Sequence, residues 1–188
     1  FGVLGKTGRG IVELSGANAT DYADGYLLSM CTLGKAMGSF GAFVAGSDEM
    51  IETLIQQGRS YIYTTALPPV VAAASLAALR ISGAEPWRRD KLSTLIDYFR
   101  AGCQQRNIPL LPSSTPIQPV LIGNNEQVQQ LAEKLQQQNL LVFAIRSPTV
   151  ARGSERLRVT LSASHEQADV DTLLDALANA ITEIGNGP

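Results

Sequence analysis

Residues 31–46, CTLGKAMGSFGAFVAG, place one lysine among four glycines: Gly34, Gly38, Gly41 and Gly46. Apolar residues surround Lys35, and the only other polar side chains are Thr32 and Ser39. The stretch is bracketed by two apolar runs, GYLLSMCT (25–32) and FGAFVAG (40–46), each short enough to be a buried strand. A lysine in a loop of small residues between two strands has three readings. It can be a solvated side chain at a turn, the ordinary state of lysine. It can belong to a phosphate loop, but that pattern needs Ser or Thr after the Gly-Lys pair, and Ala36 follows Lys35. It can be a Schiff-base lysine, whose amine attacks a carbonyl only when neutral and therefore needs desolvation or a neighbouring cation. Gly, Ala and Met supply little hydration, and glycines let a flat cofactor approach the backbone. Thr32, three residues earlier, offers a hydroxyl to a phosphate oxygen. The arrangement Thr-x-Gly-Lys-Ala-x-Gly fits a pyridoxal phosphate site.

Outward from this loop, the chain reads as mixed α/β. SDEMIETLIQQG follows as a helix with Ser47 as N-cap, acids in the first turn and Gly58 past its end. RSYIYTTALPP is aromatic and β-branched, which predicts a short strand and a turn. PPVVAAASLAALRISG predicts an Ala-rich buried helix with proline at its start. PWRRDKLSTLIDYFRAGCQQR predicts a long amphipathic helix with Leu92, Leu95, Ile96 and Phe99 on one face. The texture then changes. NIPLLPSSTPIQPVLIG carries four prolines and one strand near residues 117–122. A helix with an Asn124–Gln127 capping pattern follows, then a strand LLVFAI and a loop RSPTVARGSE. A strand RLRVTLS and a closing helix, capped by Ser164 and Gln167, end the chain. Residues 85–188 therefore read as a small C-terminal α/β domain, and residues 1–84 as the tail of a larger α/β domain.

The totals exclude some functions. The 188 residues are 45% hydrophobic and 17% charged, the mix of a globular protein. A net charge of −2 gives no reason to expect nucleic acid or an anionic membrane as partner. No apolar run reaches the roughly 18 residues of a transmembrane span. Cys31 and Cys103 lie far apart with no metal-type spacing, so two free thiols in a reducing compartment, the cytoplasm, are expected and no metal is. FGVLGKTGRG has no initiator Met and starts inside a Gly-rich pattern, which reads as the C-terminal part of a longer protein.

The lysine loop resembles the cofactor-lysine segment of the α-oxoamine synthases, pyridoxal-phosphate enzymes of the aspartate aminotransferase fold (fold type I). Three further segments resemble that family in the same order. FGVLGKTGRG is similar to the stretch after its Asp-x-Ala-His-Gly motif. YIYTTALPP is similar to the segment that reaches the neighbouring subunit's phosphate, and AIRSPTVARGSERLRVTLSASHEQADVDTLL to the C-terminal signature. The resemblance implies the pyridoxal-phosphate-dependent transferase fold, with residues 1–84 as the C-terminal part of the cofactor-binding large domain. It implies pyridoxal 5'-phosphate as cofactor, Lys35 as the covalent anchor and base, and Thr32 as a phosphate ligand. It implies Thr64 and Thr65 at the partner subunit's phosphate, hence a homodimer. It assigns the amino acid carboxylate to Arg158, a substrate contact to Thr149, and a carboxylate or CoA phosphate to Arg146. His165, the only histidine, is expected in a capped first turn rather than in catalysis. The histidine that stacks on the cofactor ring and the aspartate that pairs with its nitrogen are expected upstream of Phe1, which would leave this chain alone inactive. Within the family, AIRSPTV followed by RLRVTLSASHE is most similar to the biotin-pathway acyltransferase, which joins L-alanine to pimeloyl-CoA or pimeloyl-acyl carrier protein with loss of carbon dioxide. A sister synthase taking glycine and acetyl-CoA is the alternative enzyme. A dimerisation module using the apolar helix PPVVAAASLAALRI is the non-enzymatic one.

Overall fold

The protein, described by a computed structural model over residues 2–25 and 27–185, divides into two compact units, 1–89 and 90–188. Phe1, and Tyr26 within the strand expected over 25–32, lie outside the described residues.

The first unit opens on a turn of residues 2–10 that folds on itself, with Gly2 N–H donating to Gly8 O at 2.7 Å and Gly10 N–H to Leu4 O at 2.8 Å. The Glu13 carboxylate, on α1 (Ile11–Leu14), reaches into this turn. It accepts from Thr7 N–H at 3.0 Å, from the Thr7 hydroxyl at 2.9 Å and from Arg9 N–H at 3.3 Å. These donors, the Thr7 N–H foremost, hold the Glu13 carboxyl below the ordinary carboxylate value. Only glycine fits at Gly5, where φ is +82° and a Cβ would sit 2.3 Å from Glu13 Oε2. Helix α2 (Ala19–Ala23) starts with a reciprocal box between Asn18 and Asp21.

Strands β1 (Ser29–Thr32) and β2 (Ala42–Ala45) pair antiparallel, Ser29 opposite Ala45 and Thr32 opposite Ala42. They make the lysine stretch a hairpin of two strands, as its apolar runs lead one to expect, but the strands are not buried within the chain: Met30, Phe43 and Val44 are exposed. Helix α3 (Asp48–Gln57) starts where expected, with Ser47 Oγ accepting from Met50 N–H at 3.4 Å. The next segment is a correction. RSYI, expected as a strand, is the short helix α4 (Arg59–Ile62). Gly58 closes α3 by donating to Leu54 O, and its own carbonyl accepts from Tyr61 and Ile62, so the chain enters another helical turn. Aromatic and β-branched residues favour strands only where a sheet can receive them, and none pairs here. Helix α5 (Pro69–Ala84) begins on proline, and Ser75 is its one buried residue. Among the described residues of this unit the buried apolar side chains are Leu33 and Met37, while Val70, Leu76, Leu79 and Ile81 of α5 stay open. The expectation that this helix is buried is not met within the chain.

The second unit carries a full core. Helix α6 (Trp87–Gln105) runs across the boundary and buries Leu92, Leu95, Ile96, Phe99 and Cys103 on one face. A three-stranded antiparallel sheet has the order β3 (Ile117–Leu121), β5 (Arg156–Thr160), β4 (Phe143–Ile145), and the chain threads α7 (Asn125–Gln137) between β3 and β4. Asn124 caps α7 by accepting from Glu126 and Gln127 N–H at 2.9 and 3.0 Å. On β5, Leu157 and Val159 are buried and Arg158 and Thr160 exposed, the alternation expected of a half-covered sheet. Helix α8 (Gln167–Gly185) closes the unit. Its cap corrects the expected Ser164–Gln167 box. Ser164 Oγ is engaged by Ser162 Oγ, and Asp169 Oδ2 accepts from Glu166 N–H at 2.8 Å, starting the helix two residues later. Helices α6 and α8 approach closely at Gly102, where a Cβ would lie 2.3 Å from Leu174 Cδ1. Pairs Tyr98–Asp171 and Arg106–Asp175 line the same seam.

Both cysteines are free thiols. Cys103 is fully buried, and burial pushes its pKa up to about 12. Cys31 on β1 is half-buried. Iodoacetamide is therefore expected to label Cys31 and spare Cys103 in the native protein between about pH 7 and 9, since the thiolate is the nucleophile. Peptide mass mapping checks this. Equal labelling of the two thiols would contradict the packing of α6.

Candidate active site

The hairpin loop of residues 33–41 is closed by three main-chain bonds. Leu33 N–H donates to Gly41 O at 2.8 Å, Ser39 N–H to Leu33 O at 3.0 Å and Gly38 N–H to Lys35 O at 2.9 Å. Leu33 and Met37 point inward and are 8% and 7% exposed, so the loop is pinned on either side of Lys35. Lys35 itself faces outward and is exposed. Its Nζ donates to Thr32 Oγ1 at 3.0 Å, placing amine and hydroxyl side by side at the end of β1. A Cβ added at Gly38 would meet nothing within 4 Å, and one at Gly34 only Ser39 O at 3.7 Å, so space beside the lysine is open. The desolvation expected of the loop is not supplied by the loop: its small residues leave the amine in the open rather than burying it.

Thr64 and Thr65 lie on the exposed link between α4 and α5. That link touches the lysine loop through Leu67, which packs against Gly41, where φ is +98° and a Cβ would sit 2.9 Å from Leu67 Cδ1. The structure thus brings Thr32 and Lys35 together and ties the threonine link to the end of the same loop.

The remaining candidates belong to the second unit. Arg158 is exposed on β5 and sits opposite Pro119 of β3 and Phe143 of β4, on a sheet face that also shows Ile117. Arg146 follows β4 and donates to Gln129 Oε1 of α7. Thr149 is exposed in the turn of residues 147–149, where Asn125 Oδ1 accepts from Ser147 N–H at 3.2 Å. His165 stands before α8, its Nδ1 accepting from Ser162 N–H at 3.2 Å. Among the described residues no group of three or more His, Cys, Asp or Glu side chains is placed to hold a metal, and no helix is long and apolar enough to cross a membrane. Sequence reasoning overlooked Ser39 and Ser75, whose hydroxyls meet at 2.8 Å. The available signal was Ser75 inside the apolar run of residues 70–79.

The family model for aminotransferase class I and II matches residues 4–177. The chain belongs to that family. Among curated members, this aminotransferase-family chain is 48% identical over 98% of its length to the 8-amino-7-oxononanoate synthase of Saccharophagus degradans. It is 53% identical over 97% of its length to that of Alcanivorax borkumensis. It spans 45% and 46% of those relatives' own lengths, about half. Among solved structures, the 8-amino-7-oxononanoate synthase of Francisella tularensis matches with a TM-score of 0.85 at 30% identity, over 98% of this chain and 53% of that one. A serine palmitoyltransferase of Sphingomonas wittichii shares the fold, with a TM-score of 0.86 at 24% identity, over 100% of this chain and 46% of that one. The fold is the aspartate aminotransferase type, fold type I, that the lysine loop led one to expect.

Proposed function

We propose that the whole protein containing this chain is a pyridoxal-phosphate-dependent acyltransferase that condenses L-alanine with a pimeloyl thioester to 8-amino-7-oxononanoate, a step of biotin biosynthesis. The observation that carries the reading is the Lys35–Thr32 pair on its glycine hairpin, in a chain about half identical to synthases of that name.

The residues fit the cofactor. An amine suits an aldehyde, a hydroxyl 3.0 Å away suits a phosphate oxygen, and the space beside Gly38 admits a flat ring. Lys35 would hold the aldehyde carbon and Thr32 the phosphate, with Thr64 and Thr65 serving the phosphate of a partner subunit in a homodimer. When bound, the cofactor supplies an electron-withdrawing ring that stabilises negative charge at the amino acid's α-carbon. Lys35 Nζ takes the α-proton and returns a proton after carbon dioxide has left. The amine must be neutral for this, so surroundings beyond the loop have to exclude water from it. Arg158, exposed on β5 opposite Pro119 and Phe143, offers a planar fork that suits two-point contact with the substrate carboxylate. Thr149 contacts the substrate. Arg146 meets a carboxylate or a CoA phosphate, in exchange for its bond to Gln129. A thioester in the cytoplasm, from coenzyme A or a carrier protein, is the acyl donor.

The experiment is a substrate matrix on the full-length protein with cofactor: alanine or glycine against pimeloyl or acetyl thioesters. Alanine with pimeloyl thioester is expected to exceed every other pair in kcat/KM by at least about 10-fold, since the single methyl that separates alanine from glycine is worth roughly 10–200-fold. A preference for glycine with acetyl-CoA would replace this reading by the sister synthase. No turnover with any pair would refute both.

A further inference from the structure

The lysine hairpin is tied to helix α5 by hydroxyls. Ser75 Oγ, on the only buried residue of α5, donates to Val71 O one turn back at 2.9 Å. Ser39 Oγ, at the far end of the lysine loop, lies 2.8 Å from Ser75 Oγ and 3.3 Å from Val71 O. Each hydroxyl has one proton. With the Ser75 proton on the nearer carbonyl contact, Ser39 donates to Ser75, and the chain Ser39 to Ser75 to Val71 O is complete. We propose that this pair is the positioning device of Lys35: it fixes where the hairpin sits along α5 and thereby where Lys35 Nζ reaches.

The other anchors of the loop are apolar. Met37 is buried and its Cε lies so close to Gly2 that a Cβ there would sit 2.4 Å away, and Gly41 rests on Leu67. Apolar contact is non-directional, so it holds the loop down without fixing its register. A hydrogen bond between two short side chains does fix it, because both distance and angle are narrow. Ser39 is well placed for this task. Its N–H bonds Leu33 O, and its neighbour Gly38 bonds Lys35 O, so anchoring Ser39 anchors both arms of the turn that presents the lysine. A serine bonding back to its own helix is slightly unfavourable by itself, which leaves the hydroxyl a tertiary role to justify.

The two serines are not equivalent. Without Ser39, Ser75 keeps its bond to Val71 O. Without Ser75, Ser39 keeps only the 3.3 Å contact. The inference rests on the reading of Lys35 as the cofactor lysine, and two separate measurements on the full-length protein keep the two apart. In cofactor-free protein, amide exchange at Leu33, Gly38 and Ser39 is expected to quicken roughly tenfold in Ser75→Ala and in Ser39→Ala, with the urea midpoint of the second unit unmoved. On adding pyridoxal phosphate, the rate at which borohydride fixes it on Lys35 is expected to fall by about the same factor in both alanine variants. It should be restored in Ser39→Thr, which keeps the hydroxyl. The double alanine variant should be no slower than Ser39→Ala, which already removes both hydroxyl contacts between the hairpin and α5. Unchanged exchange, or unchanged capture alongside faster exchange, would overturn the proposal. A wild-type protein that fixes no cofactor on Lys35 would refute the cofactor reading instead, and with it the positioning role, while the exchange result would still report the clamp.

Discussion

Lys35→Ala in the full-length protein is expected to leave no pyridoxyl group fixed on the hairpin after borohydride treatment. The bond in question forms when Lys35 Nζ condenses with the cofactor aldehyde and water departs. Borohydride then reduces the carbon–nitrogen double bond to a stable amine. In this structure the nearest polar neighbour of that amine is Thr32 Oγ1 at 3.0 Å, a hydroxyl that cannot take its place as the nitrogen. Lys6, Lys91 and Lys134 lie elsewhere, two of them already paired with Glu166 and Glu183. A peptide spanning residues 31–46 should gain the pyridoxyl mass in wild type and not in the variant. Turnover should fall together with the label, by more than about 10³-fold, because general base and covalent hold are lost at once. A normally labelled hairpin lysine is impossible in Lys35→Ala, so the informative failure is a variant that still turns over, or a wild type labelled at another lysine. Either would remove Lys35 from the centre of the site.

Phe99→Ala is expected to be the most damaging single truncation in the second unit. Phe99 is fully buried on the face of α6 that also carries Leu95, Ile96 and Cys103. Removing a buried phenyl ring costs about 3–5 kcal/mol, from lost transfer energy and the cavity left behind. The whole stability of a small domain is about 5–15 kcal/mol, so the variant should lose roughly a fifth of it or more. Gly102 limits relaxation, because α8 already touches α6 there through Leu174. Phe143 provides the contrast. It is 58% exposed on the open sheet face, and Phe143→Ala should change stability by less than about 0.5 kcal/mol. Urea denaturation followed by circular dichroism measures both. Equal midpoints for the two variants would mean that the core is not organised around α6.

Much of this was legible beforehand, for identifiable reasons. Helices α3, α6 and α7 could be read because their ends carry their own punctuation, Ser47 and Gly58 or Asn124, and α6 its apolar period. The strand β5 could be read from strict alternation. The segment after Gly58 could not, since aromatic and β-branched residues state a preference that only a neighbouring strand can honour. The start of α8 was misplaced because two serines and an aspartate compete for the same amides, and their order of success is a matter of geometry.

The sequence by itself determined the chemistry of the hairpin: a lysine, a threonine three residues before it, and glycines for clearance are all local facts. It also determined the alternation that turns Arg158 away from the core. Only the tertiary structure decided how the hairpin is held. Ser39 and Ser75 are 36 positions apart, and no local pattern says that two hydroxyls so separated meet at 2.8 Å. It decided, too, that α5 keeps its apolar residues open while α6 buries its own, because burial depends on what a helix finds beside it and not on how apolar it is.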